Sequence, residues 1–241
     1  MPPLSLQTAV VTGASSGIGA AIALCLAEEG ARLHLIGRNA AALEAVAKQA
    51  RKSSPSVLTY RADLSADADL AKLQTDLKRD CEGIDILVHS AGVIASGPLE
   101  SASLEDFDRQ YRTNVRAPFA LTQALLPMLR VHQGSVVFVN SSAGMNTRVS
   151  ISQYSATKHA LKAIADSFRA EVNSDGIRVL SVYPGRTASP QQAAIHQAEG
   201  KTYFPELLMQ PADVARIIVD ALKVNRTAEV TDISIRPMRK T

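Results

Sequence analysis

Seven short apolar runs, rich in β-branched residues and separated by helix-forming stretches, constrain this 241-residue chain more than any other feature. They are TAVVT (8–12), ARLHLI (31–36), VLTY (57–60), DILVH (85–89), SVVFVN (135–140), IRVLSV (177–182) and EVTDISI (229–235). Several are apolar almost without a break, which is the pattern of strands covered on both faces, as in a parallel sheet. The intervening segments supply the covering helices. GIGAAIALCLAEEGA holds good helix formers and stops at Gly30, a natural C-cap, and NAAALEAVAKQARK opens on the N-capping Asn39. This alternation predicts a doubly wound (Rossmann) α/β sheet of about seven strands, binding its ligand beyond the carboxyl ends of the strands where the strand order reverses.

No linker or shift in composition divides the chain, so residues 1–241 read as a single domain. Hydrophobic residues make up 46% and charged residues 20%, which is the balance of a folded protein. The net charge of +3 is spread along the sequence with no block of Lys or Arg long enough to track a phosphate backbone, which argues against nucleic acid as a partner. Cys25 and Cys81 lack the close spacing of metal sites and read as reduced thiols, so no metal is expected and a cytoplasmic location is. Neither a secretory signal nor a run of 18 apolar residues is visible, and no membrane association is expected. The only long stretch without a clear strand is 186–210, between the sixth and seventh runs.

Directly after the first strand, TGASSGIGAAIA places Gly13, Gly17 and Gly19 at a strand-to-helix turn. Glycines there let a pyrophosphate approach the main chain and let the helix pack closely on its strand. The second strand ends in HLIGRN, so Arg38 stands 19 residues beyond Gly19, where the adenosine ribose falls. An acidic residue at that place binds the 2′-hydroxyl of NAD, whereas an Arg pairs with the 2′-phosphate of NADP. Gly37 adds no negative charge, so NADP(H) is the expected cofactor with Arg38 as its clamp; the alternative is that Arg38 is a solvated loop residue.

QYSATKHALKA places Tyr154 and Lys158 one helical turn apart, on the same face. Tyrosine titrates near 10, too high for efficient proton exchange at neutral pH. An ammonium at ~4 Å contributes roughly 4 kcal/mol at an intermediate dielectric, enough to lower that value by up to about three units. Thirteen residues before Tyr154, Ser141 ends the fifth strand, where its hydroxyl can hold a substrate oxygen. Ser142 competes for that role, because adjacent residues of a strand face opposite ways; Ser141 is the preferred assignment.

Together these motifs resemble the short-chain dehydrogenase/reductase family over nearly the full length. The matching residues are TGASSGIG (12–19, with Ser15, Ser16 and Ile18 among the glycines), Asp63 and Leu64, Ala91 and Gly92, Asn114, Ser141, Tyr154, Lys158, and PGRT (184–187). The resemblance implies an NADP(H)-dependent oxidoreductase that interconverts a small-molecule carbonyl and its alcohol, with Tyr154 as general acid/base and Ser141 orienting the reacting oxygen. By the same resemblance Lys158 lowers the tyrosine pKa and binds the nicotinamide ribose, and Asn114 sits in a distorted helix and links the lysine to solvent. Asp63 contacts adenine, Thr187 binds the carboxamide, and Pro184 and Gly185 shape the turn under the ring. A homodimer or homotetramer is likewise implied, through helices near 103–130 and 151–174.

Two features depart from the family. His89 and Ser90 replace its usual pair of asparagines after the fourth strand, and His89 reads as a structural partner. The C-terminus lacks the common glycine-rich finish, which weakens inference about subunit contacts from that end. Residues 186–210 are expected to form a substrate lid, with Tyr203, Phe204, Leu207, Leu208 and Met209 either lining an apolar pocket or packing a short helix. The rival reading is a non-catalytic NADPH-binding regulatory or scaffold protein on the same fold. An epimerase or dehydratase is a third, disfavoured by the short chain.

Overall fold

The computed structural model describes residues 4–239. Seven strands, β1 (Thr8–Thr12), β2 (Arg32–Gly37), β3 (Val57–Arg61), β4 (Ile86–His89), β5 (Ser135–Val139), β6 (Arg178–Pro184) and β7 (Asp232–Ile235), form one sheet. All neighbours run parallel, in the order β3-β2-β1-β4-β5-β6-β7. Eight α-helices fill the crossovers: α1 (Gly17–Glu28), α2 (Ala40–Ala50), α3 (Asp67–Asp80), α4 (Leu104–Tyr111), α5 (Ala117–His132), α6 (Ser152–Val172), α7 (Pro190–Ala198) and α8 (Pro211–Leu222). Among the described residues no helix is long and apolar enough to cross a membrane.

The doubly covered sheet explains the unbroken apolar runs. Alternate residues of one strand enter opposite cores: Ala9 and Val11 join Ile22, Leu26, Ile218 and Val219 of α1 and α8, while Val10 joins Leu73, Leu121, Leu125 and Leu161 of α3, α5 and α6. Helix α1 ends in the hydrogen bonds of a Schellman motif, with the Gly30 N–H donating to Ala27 O at 2.9 Å and the Ala31 N–H to Leu26 O at 3.1 Å.

Three elements refine the sequence reading. The long helix near 103–130 is interrupted by a π-helical turn at Arg112–Arg116, which carries Asn114. The last strand begins at Asp232, later than the apolar run, because the Glu229 carboxylate accepts the Val179 N–H at 2.7 Å and stands in for a strand partner. The stretch 186–210 contains helix α7, and its ends are tied by a bridge between Thr187 and Met209, with the Ala188 N–H donating to Met209 O at 2.8 Å.

Leu26 is fully buried between α1, α8 and the sheet, whereas Leu99 is 77% exposed. Leu26→Ala is expected to lower unfolding free energy in urea by about 2–5 kcal/mol, and Leu99→Ala by no more than ~0.5 kcal/mol.

Candidate active site

Strand order reverses at β1, which pairs with β2 on one side and with β4 on the other, and the loops leaving β1 and β4 diverge around a cleft of about 1430 Å³. That volume exceeds a typical single-ligand pocket and leaves room for a dinucleotide beside a second small molecule.

At the β1 end, Gly13 adopts φ +68° and lies so close to β4's exit that a Cβ would meet Ala91 N at 2.7 Å. At Gly19 a Cβ would meet Gly13 O at 2.3 Å. These contacts require glycine at both positions and bring α1's first turn to the edge of the cleft. Ser16 caps α1 in an extended conformation without a side-chain cap hydrogen bond, so its hydroxyl and the first helical N–H groups face the cleft as donors. Ser15, Gly17 and Ile18 line the same turn.

Arg38 follows β2, is exposed and lines the cleft, as do Asp63 and Leu64 beyond β3. Asp63 does cap a turn: its Oδ1 accepts the Ser65 N–H at 2.9 Å and the Ser65 hydroxyl at 2.7 Å. Burial pushes its carboxyl up, but the Ser65 bonds with the Arg38 and Arg109 charges hold it below the usual carboxylate range.

Thr12, noticed in the sequence only as part of the glycine motif, braces the switch point. Its Oγ1 accepts the N–H groups of Ser90 at 3.1 Å and Ala91 at 3.2 Å. His89 lies beneath in the core, with Nε2 2.8 Å from Thr122 Oγ1 and its ring stacked on Phe138. Burial pushes it down to about 3, so it is neutral and structural.

Across the cleft, α6 presents Tyr154 and Lys158, and Ser141 stands at the exit of β5. Both serines line the cleft; Ser141 is half-buried on the side of Tyr154 and acts on its hydroxyl, whereas Ser142 is exposed. The Ser141 Oγ also accepts the Ala143 N–H at 3.1 Å, which fixes the hydroxyl's position. Lys158 is buried, its Nζ 5.7 Å from the Tyr154 ring centroid and donating to Val139 O at 3.3 Å.

The expected lowering of Tyr154 by Lys158 is not what this geometry produces. Burial pushes the tyrosine above its ordinary value, and the Ser141 hydrogen bond only partly offsets that. Burial also pushes Lys158 down to about 8, so the ammonium that was to act on the tyrosine is itself desolvated.

Asn114 does not reach the cleft. It is fully buried behind Gly92, where a built Cβ would sit 3.4 Å from its Oδ1 and 3.7 Å from Lys158 Nζ. Its amide clamps the backbone of Val93, accepting the N–H at 2.8 Å and donating to the carbonyl at 2.9 Å, and Nδ2 also approaches Thr157 Oγ1 at 3.1 Å. The π turn frees the space for this clamp, and Asn114 positions the loop that carries Ala91 and Gly92. Asn140, missed by sequence reasoning, acts in a related way, its Nδ2 donating to the Lys158 carbonyl at 3.0 Å and tying α6 to β5. Only its place beside Ser141 hinted at this.

Pro184, Gly185 and Thr187 line the cleft after β6, and the Thr187 hydroxyl donates to Gly185 O at 3.1 Å. The apolar residues expected to line a pocket do not. Leu208 and Met209 are buried, with Met209 in the α1–α8 core. Tyr203 accepts the Ser189 N–H at 3.1 Å, and Phe204 and Leu207 are largely exposed. Packing of the segment explains that pattern; α7 lines the cleft through Gln191, Gln192 and Ile195 instead.

The residues therefore fit a dinucleotide: a glycine cradle with no room for side chains at Gly13 and Gly19, helical N–H groups without a side-chain cap, and an exposed cation just beyond β2. Among the described residues no cluster of His, Cys, Asp and Glu suits a metal ion.

Comparison with known proteins agrees with this architecture. A family model described as short chain dehydrogenase matches residues 7–200. An uncharacterized oxidoreductase of Staphylococcus aureus is 32% identical over 239 residues, covering 99% of this chain and all of that protein. Among solved structures, an alcohol dehydrogenase from the archaeon Thermococcus sibiricus, complexed with 5-hydroxy-NADP, is 25% identical, with a TM-score of 0.88 and coverage of 98% of this chain and 99% of that one. L-sorbose reductase from Gluconobacter frateurii, complexed with NADPH and L-sorbose, is 26% identical over the whole of both chains, with a TM-score of 0.89. On the match of its sequence and of its sheet, this chain belongs to the short-chain dehydrogenase family of oxidoreductases.

Proposed function

We propose that the protein is an NADP(H)-dependent carbonyl reductase. The observation that carries this reading is the convergence of Ser141, Tyr154 and Lys158 on one wall of a cleft whose opposite wall holds the glycine cradle and Arg38. Neighbouring structures with bound NADP or NADPH support the cofactor. When bound, the reduced nicotinamide supplies the hydride that reaches the carbonyl carbon.

The chain's own residues manage the proton. Ser141, held by the Ala143 N–H, donates a hydrogen bond to the carbonyl oxygen, and the Tyr154 hydroxyl gives that oxygen its proton. A tyrosine held above its ordinary value is protonated at neutral pH, so the form present when a carbonyl arrives is the one that carries the proton. The Lys158 ammonium steadies the resulting phenolate, and Asn114 keeps the Gly92–Val93 backbone in place next to that ammonium. The tied segment 187–209, with α7 facing the cleft, serves as the substrate lid.

Tyr154→Phe is expected to reduce turnover of aldehydes and ketones by roughly 10²–10⁴-fold, the usual yield of a positioned proton donor, with NADPH binding retained. Wild-type and Phe enzymes equally inert on every carbonyl class, with NADPH still bound, would favour the non-catalytic reading.

Arg38→Leu is expected to weaken NADPH binding by about tenfold or more, as loss of a charge-assisted phosphate contact does, with little change for NADH. Titration of both cofactors checks it.

Lys158, held down to about 8 against an ordinary value of 10.5, loses its charge early, so reduction rates are expected to decline as pH rises past about 8. Between about 8 and 10.5 the unfolded chain binds this proton more tightly than the folded one, and stability from this residue rises with pH. The burial of the charge at neutral pH costs on the order of 3 kcal/mol. Lys158→Met is accordingly expected to raise the thermal midpoint at pH 7 while lowering turnover; a fall in both would contradict the assignment.

A further inference from the structure

The two ends of the cleft carry different charge, and the cofactor's phosphates account for only one of them. The glycine cradle, Arg38 and Asp63 sit beyond β1, β2 and β3. On the opposite half, beyond β5, β6 and β7, the lining includes Arg148, Arg186, Arg236 and Arg239. Among the described residues no Asp or Glu lines that half; Asp63, at the β3 end, is the cleft's one acidic lining residue.

Glu199, the residue closing α7, supplies the nearest negative charge, and three cations share it. Lys201 approaches at 2.8 Å, Arg186 at 3.0 and 3.3 Å, and Arg148 at 3.4 Å. Those cations, the Lys201 hydrogen bond first, hold Glu199 down to about 2. The group keeps an excess of positive charge facing the cleft.

Arg186 and Arg148 are held differently. The Arg186 side chain is 18% exposed and contacts both Glu199 oxygens, so it anchors the lid. Arg148 is 48% exposed, and its single contact is longer than a charge-assisted hydrogen bond normally is. An exposed pair of that kind contributes little, so another carboxylate can take its place at low cost. Arg148 lies in the loop that leads into α6, six residues before Tyr154, and Ile151 and Ile195 from its loop and from α7 line the cleft beside it.

We propose that the carbonyl substrate carries a carboxylate, recognised by Arg148 in exchange for Glu199, with an apolar body between that group and the carbonyl; this rests on the reductase reading above. Arg148 is thus a specificity-determining residue, and the Glu199 carboxylate shows the kind of group its guanidinium accepts.

The test compares NADPH-dependent reduction of para-formylbenzoate and oxohexanoate with that of their methyl esters. The acids are expected to be favoured about tenfold or more in kcat/KM, chiefly through KM, as a charged hydrogen bond predicts. Arg148→Gln is expected to collapse the acid-to-ester ratio by about tenfold, Arg148→Lys to retain part of it, and added salt to reduce it in the wild type. Equal efficiency for acid and ester overturns the proposal and leaves the reductase reading intact. A second readout does not need turnover: binding of para-hydroxymethylbenzoate and of its methyl ester to the NADPH complex, followed by nicotinamide fluorescence. If no carbonyl is reduced, the reductase reading fails. The carboxylate site then stands if only the acid binds and Arg148→Gln weakens it, and falls if acid and ester bind alike.

Discussion

The site depends on one close approach, that of Gly13 at the end of β1 to Ala91 at the exit of β4. No side chain fits between them, and the Thr12 hydroxyl takes the two N–H groups that β4 leaves unpaired there. Because the strands flanking β1 connect on opposite sides, their loops part at this point and open the cleft. The same approach turns α1's first N–H groups to one wall and brings Gly92 against Asn114 and Lys158 on the other. A Cβ at Gly13 would push apart both walls.

The chemical wall is built against the grain of folding. Lys158 and Tyr154 are desolvated, Asn114 is buried in a π turn, and Asn140 Oδ1 has no hydrogen-bond partner among the described residues. The desolvated lysine and the unpaired Asn140 Oδ1 weaken the fold locally, and two apolar cores, one on each face of the sheet, compensate. Asn114 and Asn140 share this position: neither touches the reacting atoms, and each fixes backbone beside those that do. In the same way Glu199 serves two ends at once, pairing with Arg186 after β6 while lightly engaging Arg148.

Much of this was legible beforehand. The strands stood out because a parallel sheet buried on both faces needs nearly continuous apolar residues, and β1, β4 and β5 show that directly. The glycine turn was legible from its place between strand and helix, and the Tyr154–Lys158 pair from helical spacing. The distortion at Asn114 was implied by the family resemblance alone, since nothing local in RTNVR breaks a helix; the hydrogen bonds that accompany it join Asn114 to Val93, across 21 residues of chain. Nor could the apolar run at 203–209 reveal whether it faced the cleft or the core, because both burials select the same side chains.

By itself the sequence determined the seven-stranded parallel class, the glycine turn between β1 and α1, and the one-turn spacing of Tyr154 and Lys158, because periodicity and chain spacing are local properties. Tertiary structure alone decided that Ser141 is half-buried while Ser142 is exposed, that burial pushes Tyr154 up, and that Arg148 and Glu199 face each other from separate segments. Those outcomes depend on desolvation and on distances between residues far apart in the chain, and both exist only once the sheet has brought its edges together.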